Sequence, residues 1–386
     1  MVQPDPPAPA DGDAGPGTTA SPAPSAPSEA SARERDRIVV IGASAGGVEA
    51  LLRVVRNLPP TFAAPILVVL HVPASPFSRL PEILGRAGAL IAHHAVHGEA
   101  IELAHVCIAP PDHHLIVTDH RIALVEGPRE NGVRPAIDPL FRSAARVFGS
   151  NAVGVILSGT LDDGTAGAAA IRAAGGTVIA QEPTDAICPG MPLSAIESAG
   201  ADHVASADAI GDLLNEMVGR STEPREMPPR PRPRKSEPTD LVCPECGGVL
   251  RDFEENGVVR FHCRVGHNYS PESLFEAHDA RLEAGLWAAI RALEESASMS
   301  RRLSQSAYAR GATATASRFE SRERDAAERA DLIRSAILTL SDLEDTPTLA
   351  EAQPVATEDD RRRAELEIDD VTPQPEGDVA PEPEAV

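Results

Sequence analysis

A chain of 386 residues, 42% of them apolar, is long enough to form two or three domains with buried cores. Its net charge of −23 is concentrated near one end, because residues 344–386 hold 14 acidic side chains against three arginines. No uninterrupted run of about 18 apolar residues exists, and no basic head precedes an apolar stretch at the N-terminus, so we expect a cytoplasmic protein without membrane insertion.

Three segments have compositions that do not favour a packed core. Residues 1–36 are rich in Pro, Ala, Ser and Gly, and residues 344–386 are acidic with almost no aromatics, so both are predicted to be disordered. Residues 221–240 contain six prolines and five basic residues and are predicted to form an extended linker. No aromatic side chains are interleaved with these basic residues, so nucleic acid is not an expected partner.

Between residues 37 and 220, apolar runs alternate with helical patterns. The runs are RIVVIGA, APILVVLH, AVGVILSG and GGTVIAQ. Their alternation with helices predicts an α/β fold, a doubly wound and mostly parallel sheet flanked by helices. The segment HVCIAPPDHHLIVTDHRIALVEG instead has short alternating strands broken by Pro-Pro and Asp-His, which predicts an antiparallel hairpin in the sheet or at its edge.

Residues 241–270 carry a cluster of possible metal ligands. The candidates are Cys243, Cys246, Cys263 and His267. Three thiolates and one imidazole are a closed tetrahedral set typical of structural zinc, so we predict a small zinc-ribbon-like module. His262 is an alternative fourth ligand, and a reduced hairpin with incidental cysteines is the alternative to a metal site. Five cysteines with such uneven spacing do not indicate a disulfide framework.

Residues 271–343 have apolar residues at helical spacing. This spacing predicts two long helices that form a C-terminal helical hairpin, with the turn near Gly311.

The stretch RIVVIGASAGGVEALLRVV, residues 37–55, runs from a strand pattern through a glycine-rich turn into a helical pattern. Residues 42–46 read GASAG and fit the G-x-S-x-G pattern of a nucleophile elbow, with Ser44 at the apex. A phosphate-binding loop would need a Lys-Ser or Lys-Thr ending, which this turn lacks. Close packing of the strand against the helix would also account for the glycines, so the pattern alone leaves both a packing turn and a nucleophile open.

A serine nucleophile needs a base, and the base needs an orienting acid. His71 ends the next predicted strand, and Asp162 and Asp163 follow a later one. Taken singly, a buried structural histidine and an aspartate that caps a helix or forms a turn would explain these residues. Because the carboxyl ends of parallel strands meet at one edge of a sheet, their shared location favours a catalytic group with Ser44.

Residues from about 37 to 215 resemble the catalytic domain of the bacterial chemotaxis protein-glutamate methylesterases, the CheB family. The motifs that carry the resemblance are IGASAGG, HVP, IAPPDHHLIV, RPAIDPLFRSAA, LSGTLDDGTAG and PGMPLSAI, in family order. The resemblance implies that Ser44 is the nucleophile, His71 the base and Asp163 the orienting acid.

The same resemblance suggests residues around the triad. The elbow geometry offers the backbone N–H of Ala45 as an oxyanion donor, and the family likeness points also to the loop around Thr160. Arg134 and Met191 lie in family motifs near the substrate cleft and are candidate substrate-binding residues. The family usually has threonine in place of Ala45 and GMG or GML where this chain has GTL, which includes Thr160.

The implied activity is hydrolysis of glutamyl methyl esters on chemoreceptors in a bacterial chemosensory pathway, with deamidation of glutamines by the same chemistry and no catalytic cofactor. The implied partners are methylated chemoreceptor cytoplasmic domains and a receptor methyltransferase. The departures at Ala45 and Thr160 keep a non-catalytic signalling adaptor as the alternative. Because 36 residues are too few for the receiver domain of regulated family members, we expect no control by phosphorylation in cis.

Overall fold

The computed structural model describes residues 37–71, 78–218 and 236–344. The predicted disordered segment 1–36, most of the predicted linker 221–240 and nearly all of the predicted tail 344–386 lie outside the described residues. The domain boundaries of the sequence analysis stay predictions.

The chain divides into two compact units. Of the described residues, the first contains those up to Glu237 together with Asp252–Arg260, and the second contains Pro238–Arg251 and those from Phe261 onward.

A seven-stranded sheet forms the centre of the first unit, in the order β3-β4-β2-β1-β7-β8-β9. Every neighbouring pair in it is parallel. The four apolar runs of the sequence analysis supply four of its strands, so the predicted parallel sheet is confirmed. Its strands are β1 (Ile38–Ala43), β2 (Ile66–Leu70), β3 (Ile91–His94), β4 (His105–Ile108), β7 (Ala152–Ile156), β8 (Thr177–Gln181) and β9 (His203–Ala205).

Helices cover both faces of this sheet, because alternate side chains of each strand point to opposite faces. Ile38 and Val40 of β1 join one buried cluster, whereas Val39 and Ile41 join the other. The doubly wound arrangement is therefore confirmed. The helices of this unit are α1 (Gly47–Arg56), α2 (Leu80–Ala87), α3 (Ile137–Phe148), α4 (Thr165–Ala173), α5 (Gly190–Ser194) and α6 (Ala207–Val218).

The predicted antiparallel hairpin is also confirmed, over a shorter range than its pattern suggested, but its predicted place in or at the edge of the central sheet is wrong. Strands β5 (His114–Thr118) and β6 (Arg121–Val125) pair antiparallel in a two-stranded sheet of their own. The preceding HVCI segment is strand β4, which pairs parallel to β2 and β3. Val106, Cys107 and Ile108 are all buried there, as expected for a strand covered on both faces.

The rest of the described chain forms a small sheet and a pair of long helices. The sheet has the order β10-β11-β12-β13, with β10 (Glu237–Val242), β11 (Val249–Glu255), β12 (Val258–Cys263) and β13 (Asn268–Tyr269). Helices α7 (Pro271–Ala309) and α8 (Thr313–Glu344) follow, and Gly311 takes the turn between them with φ 75°. The predicted helical hairpin is thus confirmed. None of the helices in the described part of the chain has the length and apolar character needed to cross a membrane.

Candidate functional site

Ser44 lies in a tight turn between β1 and α1. Gly46 has φ +74° in this turn, and a Cβ atom there would lie 2.6 Å from Ser158 Oγ, so both the backbone conformation and the space require glycine. The Ser44 N–H donates to the Ser158 carbonyl oxygen over 2.9 Å. These constraints fix the turn, and they leave the Ser44 side chain half-buried at the carboxyl end of the sheet.

The loop that follows β7 packs directly against this serine. A Cβ atom on Gly159 would lie 2.9 Å from Ser44 Cβ and 2.1 Å from Met191 Sδ, so only glycine allows this approach. The loop is held by hydrogen bonds of 2.9 Å from Gly159 N to Cys188 O and from Met191 N to Gly159 O. Met191 is fully buried, and it packs behind the loop.

His71 connects Ser44 to an aspartate. It directly follows β2, and its backbone N–H donates to the Ala43 carbonyl oxygen over 3.1 Å. Its Nδ1 lies 3.1 Å from Ser44 Oγ, and its Nε2 lies 2.8 Å from Asp163 Oδ2. With Asp163 ionised, the ring proton sits on Nε2, which leaves Nδ1 free to accept the serine proton. This is the arrangement of a nucleophile, a general base and an orienting acid.

Asp163 is held as a carboxylate by donors on both of its oxygens. Oδ2 accepts from Ile137 N over 2.7 Å, and Oδ1 accepts from Asn131 Nδ2 over 2.8 Å. Burial alone raises the pKa of Asp163, but the hydrogen bonds from His71, Ile137 N and Asn131 outweigh it and lower the pKa to about 2. The group therefore carries its negative charge throughout the physiological pH range.

Sequence reasoning missed the residues that support Asp163. Asn131 Nδ2 also lies 3.2 Å from Asp138 Oδ2, and Asp138 Oδ1 accepts from Gly167 N over 2.7 Å. Asp138 in turn binds Arg260 Nη1, and Arg260 is only 1% exposed. Asp138 stands in the RPAIDPLFRSAA motif, where its position could have been noticed. Arg260, 122 residues further along the chain, gave no such signal.

Arg260 belongs to the same compact unit as the parallel sheet, so its bond to Asp138 lies within that unit. Arg260→Met is expected to lower the free energy of unfolding by about 3 kcal/mol, because it leaves the fully buried Asp138 carboxylate without its cation. Chemical denaturation checks this. Arg56→Met, at an exposed position of helix α1 in the same unit, is the matched control. Equal stability of the two variants would contradict the expectation.

The other predicted residues of the site lie as follows. Ala45 and Thr160, the two positions predicted to supply oxyanion donors, are exposed. Arg134 donates from Nε and Nη2 to Asp112 Oδ1 over 2.9 and 2.7 Å, and from Nη1 to Gly127 O over 2.6 Å. The hydrogen bonds from Arg134 lower the pKa of Asp112. The oxyanion-donor and substrate-binding roles of these residues stay predictions.

Four potential metal ligands of the second unit form a cluster: Cys243, Cys246, Cys263 and His267. His267 Nδ1 lies 3.6 Å from Cys243 Sγ and 3.5 Å from Cys263 Sγ. Cys246 Sγ lies 3.6 Å from Cys263 Sγ, so the two thiols are not bonded to each other. Donors around a tetrahedral zinc ion, at bond lengths of about 2.0–2.3 Å, are about 3.3–3.8 Å apart, so the cluster fits such an ion. Among the described residues, His262 is not part of this cluster.

Comparison with known proteins relates the first unit to one family. Residues 39–214 match the CheB methylesterase family. The chain is 38% identical over 181 residues to protein-glutamate methylesterase/protein-glutamine glutaminase 2 of Anaeromyxobacter dehalogenans, covering 47% of this chain and 53% of that protein. A Leptospira interrogans homologue named for the same two activities is 35% identical over 188 residues, covering 48% of this chain and 97% of the homologue.

The chain spans about half the length of the first of these relatives and nearly all of the second. Among solved structures, the Thermotoga maritima CheB methylesterase catalytic domain is 38% identical to it. That match covers 47% of this chain and 98% of the solved domain, with a TM-score of 0.46.

Proposed function

This chain belongs to the CheB methylesterase family, and from that premise we propose that it is a serine esterase that hydrolyses glutamyl methyl esters on chemoreceptors of a bacterial chemosensory pathway. The observation that carries the proposal is the continuous line of hydrogen bonds from Ser44 Oγ through both ring nitrogens of His71 to Asp163. The relatives whose names specify protein-glutamate methylesterase and protein-glutamine glutaminase support the choice of substrate.

The first half of the reaction forms an acyl-enzyme. Ser44 Oγ attacks the ester carbonyl carbon while His71 Nδ1 takes the hydroxyl proton, and the C–O bond to methanol then breaks. The imidazolium gives its proton to the departing methoxide, which leaves as methanol. Asp163 stays ionised because its pKa is low, and its carboxylate stabilises the imidazolium through the hydrogen bond to Nε2.

The second half repeats these steps with water. His71 Nδ1 takes a proton from water as the water oxygen attacks the acyl carbon, and Ser44 then leaves as the restored hydroxyl. The product is a free glutamate side chain. A glutamine side chain would follow the same course with ammonia as the leaving group, so glutaminase activity is part of the proposal. Neither route needs a cofactor.

The negative charge that develops on the carbonyl oxygen needs donors beside Ser44. We assign this role to the backbone N–H of Ala45 and to the loop around Thr160, because Gly159 brings that loop into contact with Ser44. Arg134 is assigned to substrate binding, and Met191, which is fully buried, would contribute to it only by supporting the same loop from behind. Arg134, which is bound to Asp112, would be the polar contact.

Methylated chemoreceptor cytoplasmic domains are the proposed substrates, and a receptor methyltransferase would supply the esters. The proposal is tested by incubating the full chain with a receptor-derived peptide that carries a glutamyl methyl ester and measuring methanol. We expect methanol and free glutamate in equal amounts. If the chain binds this peptide but releases no methanol from it, the chain is a non-catalytic adaptor and the proposal is wrong.

The cysteine cluster of the second unit is proposed to hold a structural zinc ion through Cys243, Cys246, Cys263 and His267. Four protein donors leave no open coordination position, so the ion would hold the fold together without taking part in catalysis. The buried cluster here comprises only Cys243, Leu250, Cys263, Tyr269 and Leu274, a core too small to be stable alone.

Cys243→Ser is expected to remove one zinc ion per chain and to expose residues 241–270 to proteolysis, because the metal supplies most of the stability of this segment. Metal analysis and limited proteolysis measure the two effects. Cys188→Ser, at a cysteine outside the cluster, is the control and keeps the zinc. Unchanged zinc content in Cys243→Ser would overturn the assignment.

A further inference from the structure

A second group of possible metal ligands, which shares no residue with the cysteine cluster, lies at the edge of the parallel sheet: His93, Glu99 and Cys107. His93 is on the outermost strand β3, and Cys107 is its direct partner in β4. Glu99 comes from the connection between these two strands. Side chains of directly paired residues in neighbouring strands lie on the same face, so the sheet itself brings the imidazole and the thiol together.

The two distances from His93 Nε2 match those between ligand atoms around one metal ion. His93 Nε2 lies 3.3 Å from Glu99 Oε2 and 3.6 Å from Cys107 Sγ, and all three donor atoms lie within 4.8 Å of one another. Ligand atoms around a tetrahedral zinc ion with bonds of about 2.0–2.3 Å are about 3.3–3.6 Å apart when nitrogen is one of the pair.

The way in which these groups converge distinguishes them from a catalytic relay. In a relay the histidine uses both ring nitrogens, as His71 does between Ser44 and Asp163. Here the carboxylate and the thiol both approach the same nitrogen, Nε2 of His93. A single Nε2–H cannot point well at both, whereas a cation placed among the three atoms would bind all of them.

The carboxylate is already oriented for such a role. Glu99 Oε1 accepts a hydrogen bond of 2.9 Å from Val96 N, which leaves Oε2 directed towards His93. Metal-binding carboxylates are commonly held in this way by an outer hydrogen bond. Although Cys107 is only 2% exposed, all three residues line a pocket of about 320 Å³ that gives an ion a route of entry.

We propose that His93, Glu99 and Cys107 form a second metal site, which binds a divalent cation of the zinc class with three protein ligands and a fourth position open to the pocket. One thiolate and one imidazole favour zinc over magnesium or calcium, which prefer oxygen ligands. The bound ion would link strand β3, strand β4 and the segment that connects them at the edge of the sheet. This site is independent of the proposed esterase function.

The test is the zinc content of the full chain after equilibration with zinc chloride and removal of loosely bound ions by a weak chelator. Wild type is expected to retain about two zinc ions per chain, and His93→Gln and Cys107→Ser about one. His203→Gln, an exposed histidine on the opposite edge strand β9, is the matched control and retains about two. Circular dichroism verifies that each variant is folded.

A second readout separates this site from the cysteine cluster. In Cys243→Ser, cobalt(II) is expected to bind at the remaining site and to give a thiolate-to-cobalt absorption band, which disappears when Cys107→Ser is added. The proposal is overturned if wild type retains only one zinc ion and Cys243→Ser none. It is equally overturned if folded His93→Gln retains as much zinc as wild type. Ester hydrolysis is measured separately, so neither result depends on it.

Discussion

Ser44→Ala is expected to lower kcat for ester hydrolysis by about 10⁵-fold, because it removes the atom that forms the acyl-enzyme. The residual rate would come from binding and oxyanion stabilisation alone. Since the substitution deletes only one oxygen from a half-buried side chain, the thermal unfolding temperature is expected to stay the same. Methanol release and circular dichroism measure the two effects.

The matched control is Ser150→Ala, which makes the same chemical change in the turn before β7 and should leave kcat unchanged. A Ser44→Ala protein that releases methanol at the wild-type rate would exclude Ser44 as the nucleophile. A variant that is inactive and also unfolded would point to the packing role that the glycine-rich turn left open, and the nucleophile assignment would lose its support.

Asp163→Asn is expected to lower kcat by about 10⁴-fold with little change in KM. An amide that turns its NH₂ group towards His71 would favour the ring tautomer with the proton on Nδ1. That nitrogen faces Ser44 Oγ at 3.1 Å, and once protonated it cannot accept the serine proton. Steady-state kinetics on the methyl-ester peptide separate this loss of kcat from a loss of binding.

Asp162→Asn is the control for this substitution, because it changes the neighbouring buried carboxylate while both ring nitrogens of His71 keep their partners Ser44 Oγ and Asp163 Oδ2. We expect a much smaller effect on kcat. A larger loss in Asp162→Asn than in Asp163→Asn would mean that the wrong member of the aspartate pair has been assigned as the orienting acid.

The grouping of Ser44, His71 and Asp163, the proposed triad, could be anticipated from sequence because these residues follow three strands that are neighbours in the sheet. Ser44 follows β1, His71 follows β2, and Asp163 comes after β7, and these strands lie side by side in the order β2-β1-β7. The rule that carboxyl ends of parallel strands meet at one edge therefore applied directly. The hydrophobic runs that predicted the strands also set the positions of the polar residues that follow them.

The support of the triad could not be anticipated, because it depends on contacts between distant segments. Arg260 stands in an ordinary alternating strand, VVRFH, and nothing in that pattern distinguishes a buried arginine from an exposed one. Nothing in the sequence pairs Cys107 with another metal ligand, for a similar reason. Its partner His93 is 14 residues away on a strand whose parallel pairing to β4 is visible only in three dimensions.

The local pattern also misjudged one boundary. Pro-Pro and Asp-His interruptions made the whole segment from His105 to Gly127 look like a hairpin, but its first four residues are a strand of the central sheet. A strand of four residues carries too few side chains to tell parallel from antiparallel pairing.

The measurement that tests the central claim most directly is covalent labelling of the full chain with a fluorophosphonate, followed by mass spectrometry of its peptides and by methanol release from methylated chemoreceptor. Such a reagent reacts with a serine that an adjacent base has activated. We expect one label per chain, on Ser44, and a loss of methanol release in proportion to the labelled fraction, with no label on His71→Ala. Labelling at another serine, or full methanol release from completely labelled protein, would contradict it.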